Sequence, residues 1–356
     1  MLDIRYELTT QKKEKPDETK LGFGKYYTDH MFVVDHTEGI GWHDARVVPY
    51  QPIALDPAAM VFHYGLESFE GLKAYRQPDG SVRLFRPEKN AQRMMNTNAR
   101  MCMPQLPVDD FVQAVKALVR VDSDWVPSAE GTSLYIRPFV IATEPHLGVR
   151  PASDHSFIII CSPVGAYYET GINPVKIFVE DEYTRACPGG TGFTKCGGNY
   201  AGSLISQVKA HDLGYAQTLW LDSTEHKYVE EVGSMNCFFK IDGTIYTAPT
   251  VGTVLPGVTR MSCIELLEKW GYTVCQDRLA IADVMEASKN GKLEEVFGSG
   301  TAAVISPVGE LRFEDEVAYI SDGKIGELTQ RLYDTITGIQ WGKVEDNMGW
   351  TTAIEE

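Results

Sequence analysis

The stretch Gly189-Gly190-Thr191-Gly192-Phe193-Thr194-Lys195-Cys196-Gly197-Gly198-Asn199-Tyr200 crowds glycines around one lysine. Glycine lets backbone come close to a ligand and adopt conformations closed to other residues. A lysine held in such a loop has two evident uses. The phosphate-binding pattern requires Gly-Lys-Ser/Thr, whereas Lys195 follows Thr194 and precedes Cys196, so that motif is absent. The other use is covalent: a lysine in a partly desolvated site loses its proton readily, forms a Schiff base with an aldehyde cofactor and acts as a base. By composition alone, the same stretch also reads as a plain surface loop.

If the aldehyde is pyridoxal phosphate, the chain must also supply a carboxylate for the pyridine nitrogen and donors for the phosphate. Glu230 and Glu231, leading into Val232-Gly233-Ser234, are adjacent candidates between which spacing does not choose. Leu255-Pro256-Gly257-Val258-Thr259-Arg260 places a Pro-Gly turn before a helix, which offers backbone N–H groups and a positive dipole end to an anion. Gly298-Ser299-Gly300-Thr301 is a second small-residue loop able to donate N–H and hydroxyl groups. Each of these reads singly as an ordinary turn, and their joint presence is what points to a phosphate.

Other chemistries fare worse. The seven cysteines include no CxxC, and His30, His36 and His43 fit no compact ligand spacing, so neither a disulfide framework nor a metal site is expected. A net charge of −16 opposes binding to nucleic acid, which depends on Lys and Arg displacing counterions. No apolar run approaches the roughly 20 residues of a membrane span, and the first thirty residues hold no apolar signal core, so a soluble, cytoplasmic protein is expected.

The elements that would position these residues alternate along the 356-residue chain, which suggests two α/β (α+β) domains. Asp79-Gly80 and Asp242-Gly243 each separate β-rich stretches and predict hairpins with tight primed turns. Helices are expected from Pro87 to about Met101, from near Asp109, from about Asn199 to Leu213, from Thr259 to Trp270, from Ile281 to Asn290 and from about Ile325 to Trp341. SLYIRPFVIA, SFIIICSPVGAYY, VKIFVE, AQTLWLD, EEVFGSG and AAVIS read as strands. Turn formers in Glu169-Thr170-Gly171-Ile172-Asn173-Pro174 divide a small N-terminal domain, 1–168, from a cofactor-binding domain, 177–356, through a linker at 169–176.

SFEGLKAY, FRPEKNAQRM, GTSLYIRP, SPVGAYY, TKCGGNYAGS, EVGSMN, VLPGVTR and EVFGSGTA together resemble blocks of the branched-chain amino acid aminotransferases, pyridoxal-phosphate enzymes of fold type IV. The resemblance runs over nearly the whole chain. It implies a small open α/β domain beside a larger pseudo-barrel domain, and transfer of the amino group of leucine, isoleucine or valine to 2-oxoglutarate by a ping-pong route.

The same resemblance implies that Lys195 holds the cofactor and shuttles the proton, and that Glu231 rather than Glu230 faces the pyridine nitrogen. Tyr200 would bond the ring hydroxyl, while Arg93, Val258, Thr259 and Thr301 would bind the phosphate. Phe23, Tyr64, Tyr135 and Tyr167 would line the substrate pocket, Ser234 and Ala302 would receive the carboxylate, and Arg137 would engage the distal carboxylate of the acidic partner. Leu147 and Val149 resemble a loop lent to the partner in a homodimer. Where mammalian relatives have a redox-active CxxC, this chain has Ala303-Val304-Ile305-Ser306, so thiol control there is not expected.

Overall fold

The computed structural model describes residues 1–165 and 172–355. The chain forms two compact units: one takes Met1–Glu169, Thr194–Gly197 and Gly338–Glu356, the other Thr170–Phe193 and Gly198–Thr337. The linker expected at 169–176 falls partly outside the described residues, and Val175 already opens a strand.

In the first unit the strands are β1 (Arg5–Tyr6), β2 (His30–Thr37), β3 (Gly41–Pro49), β4 (Glu67–Phe69), β5 (Leu72–Arg76), β6 (Val82–Phe85), β7 (Ser133–Ala142) and β8 (Asp154–Val164). They run in the order β1-β3-β2-β8-β7-β5-β6, with β4 paired to β7, and the C-terminal strand Thr351–Ala353 closes the β6 edge. Helices α1 (Met60–Tyr64), α2 (Pro87–Arg100) and α3 (Val108–Val121) accompany them. Alternation along β7 and β8 sends Leu134, Ile136, Phe157 and Ile159 to the side where Met94 of α2 and Phe111 and Leu118 of α3 are buried with them. Pro87 starts α2 at a position where its missing N–H costs nothing.

In the second unit, β9 (Val175–Glu180), β10 (Gln217–Leu221), β11 (Val229–Val232), β12 (Met235–Ile241), β13 (Thr244–Thr247), β14 (Val274–Cys275), β15 (Leu293–Gly300), β16 (Val304–Phe313) and β17 (Glu316–Tyr319) form the other sheet. Its path β11-β10-β9-β16-β15-β12 returns to β11 through the β11–β12 pairing, so six strands close into a barrel-like ring. The fold is thus α/β with an open sheet in one unit and a pseudo-barrel in the other, as expected for fold type IV. Helices α4 (Gly197–Ala201), α5 (Leu204–Asp212), α6 (Val258–Lys269), α7 (Ile281–Lys289) and α8 (Glu327–Gln340) complete the chain before β18 (Thr351–Ala353).

Two expectations need correction. The helix expected over Asn199–Leu213 is two helices, because Gly202 interrupts it and the Ser203 hydroxyl donates to the Tyr200 carbonyl at 2.7 Å, a local bond that competes with helix continuation. The primed turn holds at Asp242-Gly243, where φ is +49° and +77°. At Asp79-Gly80 only the glycine has positive φ. Pro78 fixes a negative φ in the loop, and the hairpin closes more widely through Gln77 N–H donating to the Ser81 carbonyl at 2.9 Å.

Candidate active site

Lys195 lies in the short segment Thr194–Gly197 of the first unit, although Phe193 and Gly198 on either side of it belong to the second. Its backbone is fixed twice: its N–H donates to Thr97 Oγ1 of α2 at 3.0 Å, and its carbonyl accepts from Phe69 N–H of β4 at 3.0 Å. Gly197 N–H donates to Glu67 Oε1, and a Cβ at position 197 would push that carboxylate aside. The Lys195 Nζ stands 4.6 Å from the centre of the Phe69 ring. Although the residue as a whole is only half-buried, its amine is desolvated. Desolvation, followed by the Arg93 charge, lowers its pKa to about 8, with Glu70 partly opposing.

Arg93 lies on the buried side of α2, and Glu70 grips it bidentately: Nε donates to Oε1 and Nη2 to Oε2, both at 2.8 Å. Asn90 Nδ2 donates to the same Glu70 Oε2 at 2.7 Å. This clamp fixes the guanidinium plane at the cost of desolvating two charges, and the fork geometry and extra donor compensate for that cost. Neither Glu70 nor Asn90 was singled out in the sequence, where they read as an ordinary strand-end carboxylate and a helix amide.

Aromatic residues expected to line a substrate pocket gather in the same unit. The Phe23 and Tyr135 rings meet edge-on at 5.0 Å. Arg137 Nη2 donates to Tyr135 Oη at 3.0 Å, and its guanidinium lies 4.8 Å from the Phe69 ring centre. Gly71 leaves the space that the Tyr135 phenol occupies, since a Cβ there would overlap it. Tyr64 is placed differently, its hydroxyl donating to the Leu147 carbonyl. Tyr167 lies outside the described residues.

In the second unit, a small cavity is lined by Arg185, Tyr200, Glu231 and Ser234. Glu231, on β11, is 3% exposed; its Oε1 accepts from Asn236 Nδ2 at 2.9 Å and from Leu255 N–H at 3.1 Å, and its Oε2 lies 2.7 Å from Arg185 Nε. Strand alternation separates it from Glu230, whose Oε1 accepts from Thr253 Oγ1 at 2.5 Å and which lines another cavity. Val258 and Thr259 are the first residues of α6, whose N-cap Gly257 supplies no side-chain cap. A Cβ at Gly257 would overlap Asn236 Oδ1. Thr301 and Ala302 form the turn between β15 and β16, followed by Val304 at φ +62°, a strained conformation for a β-branched residue. Arg185 was missed in the sequence; its one signal is a lone arginine just before the glycine-rich loop.

These residues fit a phosphorylated aldehyde cofactor. A desolvated lysine amine of lowered pKa suits imine chemistry, a buried carboxylate supported by donors suits a ring N–H, and an uncapped helix start suits a phosphate.

Comparison with known proteins agrees with this chemistry. The family described as amino-transferase class IV matches residues 67–311, and the chain belongs to that family. Branched-chain-amino-acid aminotransferase 2 of Bacillus subtilis is 56% identical over 351 residues, covering 99% of this chain and 97% of the relative. Branched-chain-amino-acid transaminase 1 of the same organism is 54% identical, covering 99% of both. Matches of that length and identity place the chain in the branched-chain group, which bears out the resemblance drawn from the sequence blocks. Among solved structures, the Escherichia coli branched-chain amino acid aminotransferase superposes with TM-score 0.76 at 27% identity, covering 91% of this chain and 99% of that one. The branched-chain amino acid aminotransferase of Thermoproteus uzoniensis, solved with norvaline, gives 0.73 at 24% identity, covering 91% and 99%, a likeness of fold.

Proposed function

We propose that this protein is a homodimeric, cytoplasmic transaminase that moves the amino group between L-leucine, L-isoleucine or L-valine and 2-oxoglutarate by a ping-pong route, with pyridoxal 5′-phosphate bound to Lys195. The observation that carries this reading is the Lys195 amine, held among Arg93, Phe69, Tyr135 and Arg137 with its pKa lowered to about 8. When bound, pyridoxal phosphate supplies an aldehyde and an electron-accepting ring; the chain's own side chains do the rest.

With the cofactor bound, a neutral Lys195 Nζ would serve as the nucleophile and as the base that takes up and returns the proton of the substrate α-carbon. Glu231, backed by Arg185, would accept a hydrogen bond from the ring nitrogen, and Tyr200 would donate to the ring hydroxyl. Arg93, Val258, Thr259 and Thr301 would hold the phosphate. Phe23, Tyr64 and Tyr135 would offer aromatic surface to an aliphatic side chain, and Arg137 would offer a fork to the distal carboxylate of the acidic partner. Ser234 and Ala302 would receive the α-carboxylate.

Three exposed apolar side chains of the first unit support the dimer: Phe62 is 61% exposed, Leu147 65% and Val149 84%. No helix among the described residues is long and apolar enough to cross a membrane. An absorbance scan of the purified protein before and after L-leucine tests the reading. A yellow preparation whose band shifts on addition supports it, and a band unmoved by L-leucine but shifted by D-alanine overturns the substrate assignment.

A further inference from the structure

Glu230, which the cofactor reading leaves without a role, is 8% exposed, and its Oε2 has no hydrogen-bond partner among the described residues. It lines a cavity of about 130 Å³ in the second unit. A buried carboxylate oxygen without a donor is costly, so its persistence beside open space calls for a ligand. Burial, aided by Asp222, raises the Glu230 pKa, while Thr253, Arg185 and Arg278 act in the opposite sense, so the Arg278 charge is felt at the carboxylate.

Arg278 lines the same cavity. Its guanidinium lies 5.1 Å from the Tyr228 ring centre, and its acidic partner, Glu225, is 3.8 Å away with both side chains about half exposed. Such a pair is weak and easily exchanged. The third charged group at the cavity, Asp222, is already occupied by the backbone N–H groups of Thr224, Glu225, Lys227 and Tyr228. What remains is one carboxylate in need of donors, one guanidinium able to take a carboxylate, and an apolar wall that includes Val251 and Val254.

We propose that this cavity binds a small α-amino acid as a zwitterion, its ammonium on Glu230, its carboxylate on Arg278 and its short side chain against the valines. A cavity of this size accommodates about six heavy atoms, as an apolar cavity of roughly 150 Å³ accommodates benzene. Alanine has that size. A simple anion would meet the Glu230 charge, and a simple amine would leave Arg278 unused. No group of three or more metal-ligating side chains exists among the described residues, which leaves no case for a cation site.

The test is titration calorimetry of L-alanine, ethylamine and propionate into holoenzyme reduced with borohydride, which blocks amine capture at Lys195. L-Alanine is expected to bind once per chain, with ethylamine and propionate each at least about tenfold weaker. Glu230→Gln and Arg278→Gln are each expected to weaken L-alanine by a similar factor. Arg278 is exposed, so its variant leaves the fold intact. Retention of L-alanine binding by Arg278→Gln overturns the proposal whatever Glu230→Gln does, as does ethylamine binding as tightly as L-alanine, or no binding of L-alanine at all.

Discussion

Arg185 Nε and Glu231 Oε2 stand 2.7 Å apart with side chains 6% and 4% exposed, and Arg185 Nη2 also donates to the carbonyls of Gly192 and Thr253. One guanidinium therefore ties the carboxylate to the glycine-rich loop before Lys195 and to the loop before α6. Removing one member of a buried pair strands the other, at a cost of about 3–5 kcal/mol. Arg185→Met is expected to lose most of its cofactor affinity and to melt earlier. Adding Glu231→Gln to it should cost much less than the two single effects summed, as a double-mutant cycle by thermal melting would read. Additive losses would show that the two residues act independently.

On the proposed reading, replacing Lys195 removes nucleophile and base together. Lys195→Ala is expected to retain the fold and lose turnover by at least about 10²–10⁴-fold. Borohydride treatment followed by peptide mapping should find no cofactor attached to the variant, and attachment at another lysine would sink the assignment.

The lowered Lys195 pKa makes a pH prediction. The unfolded chain keeps this amine protonated up to about 10.4, the folded chain only up to about 8, so between those values the unfolded state binds more protons and stability rises with pH. In the cofactor-free protein, the rate of capturing pyridoxal phosphate should follow the neutral amine and rise through an apparent pKa near 8. A profile that rises only near 10.4 would place the amine in water.

Gly192 is a packing constraint of the loop. A Cβ there would stand 2.6 Å from the Thr253 carbonyl oxygen, a backbone atom that cannot swing aside. Gly192→Ala is expected to push the loop off Thr253, lowering cofactor affinity and stability by about 1–3 kcal/mol, whereas Gly198→Ala, which meets nothing within 4 Å, should be nearly silent. Equal cofactor affinities in the two variants, by fluorescence titration, would refute this.

His155 predicts acid sensitivity away from the site. It is 2% exposed with neither ring nitrogen partnered among the described residues, and burial, aided by His36, lowers its pKa to about 4 against the smaller opposing charges of Asp154 and Glu144. Between about pH 6.5 and 4 the unfolded chain binds the extra proton, so stability falls as pH drops through that window, by up to about 3 kcal/mol. His155→Phe should flatten the slope, as chemical denaturation at pH 7 and pH 4.5 would measure.

Local signals in the sequence were strong where one residue dictates backbone geometry. Asp242-Gly243 specified its turn, Pro87 the start of α2, and the β-branched run SLYIRPFVIA matches β7 residue for residue. The candidate site could be read in the sequence only through the loop glycines and the family blocks. Glu70 and Arg185 escaped notice because their importance is tertiary: each is an unremarkable charge until the fold supplies Arg93 and Glu231. The break at Gly202 was missed because helix formers on both sides outweighed one glycine.

The first sheet is finished by the end of the chain: Thr351–Ala353 pairs with β6, Trp350 packs edge-on against Phe85, and Ile354 joins the core around Phe111. A gene fragment stopping at residue 168 would leave β6 with a row of unsatisfied N–H and C=O groups, ready to recruit another strand. Such a fragment carries an aggregation-prone edge, which makes the segment from Trp350 to Ile354 a poor place for a truncation.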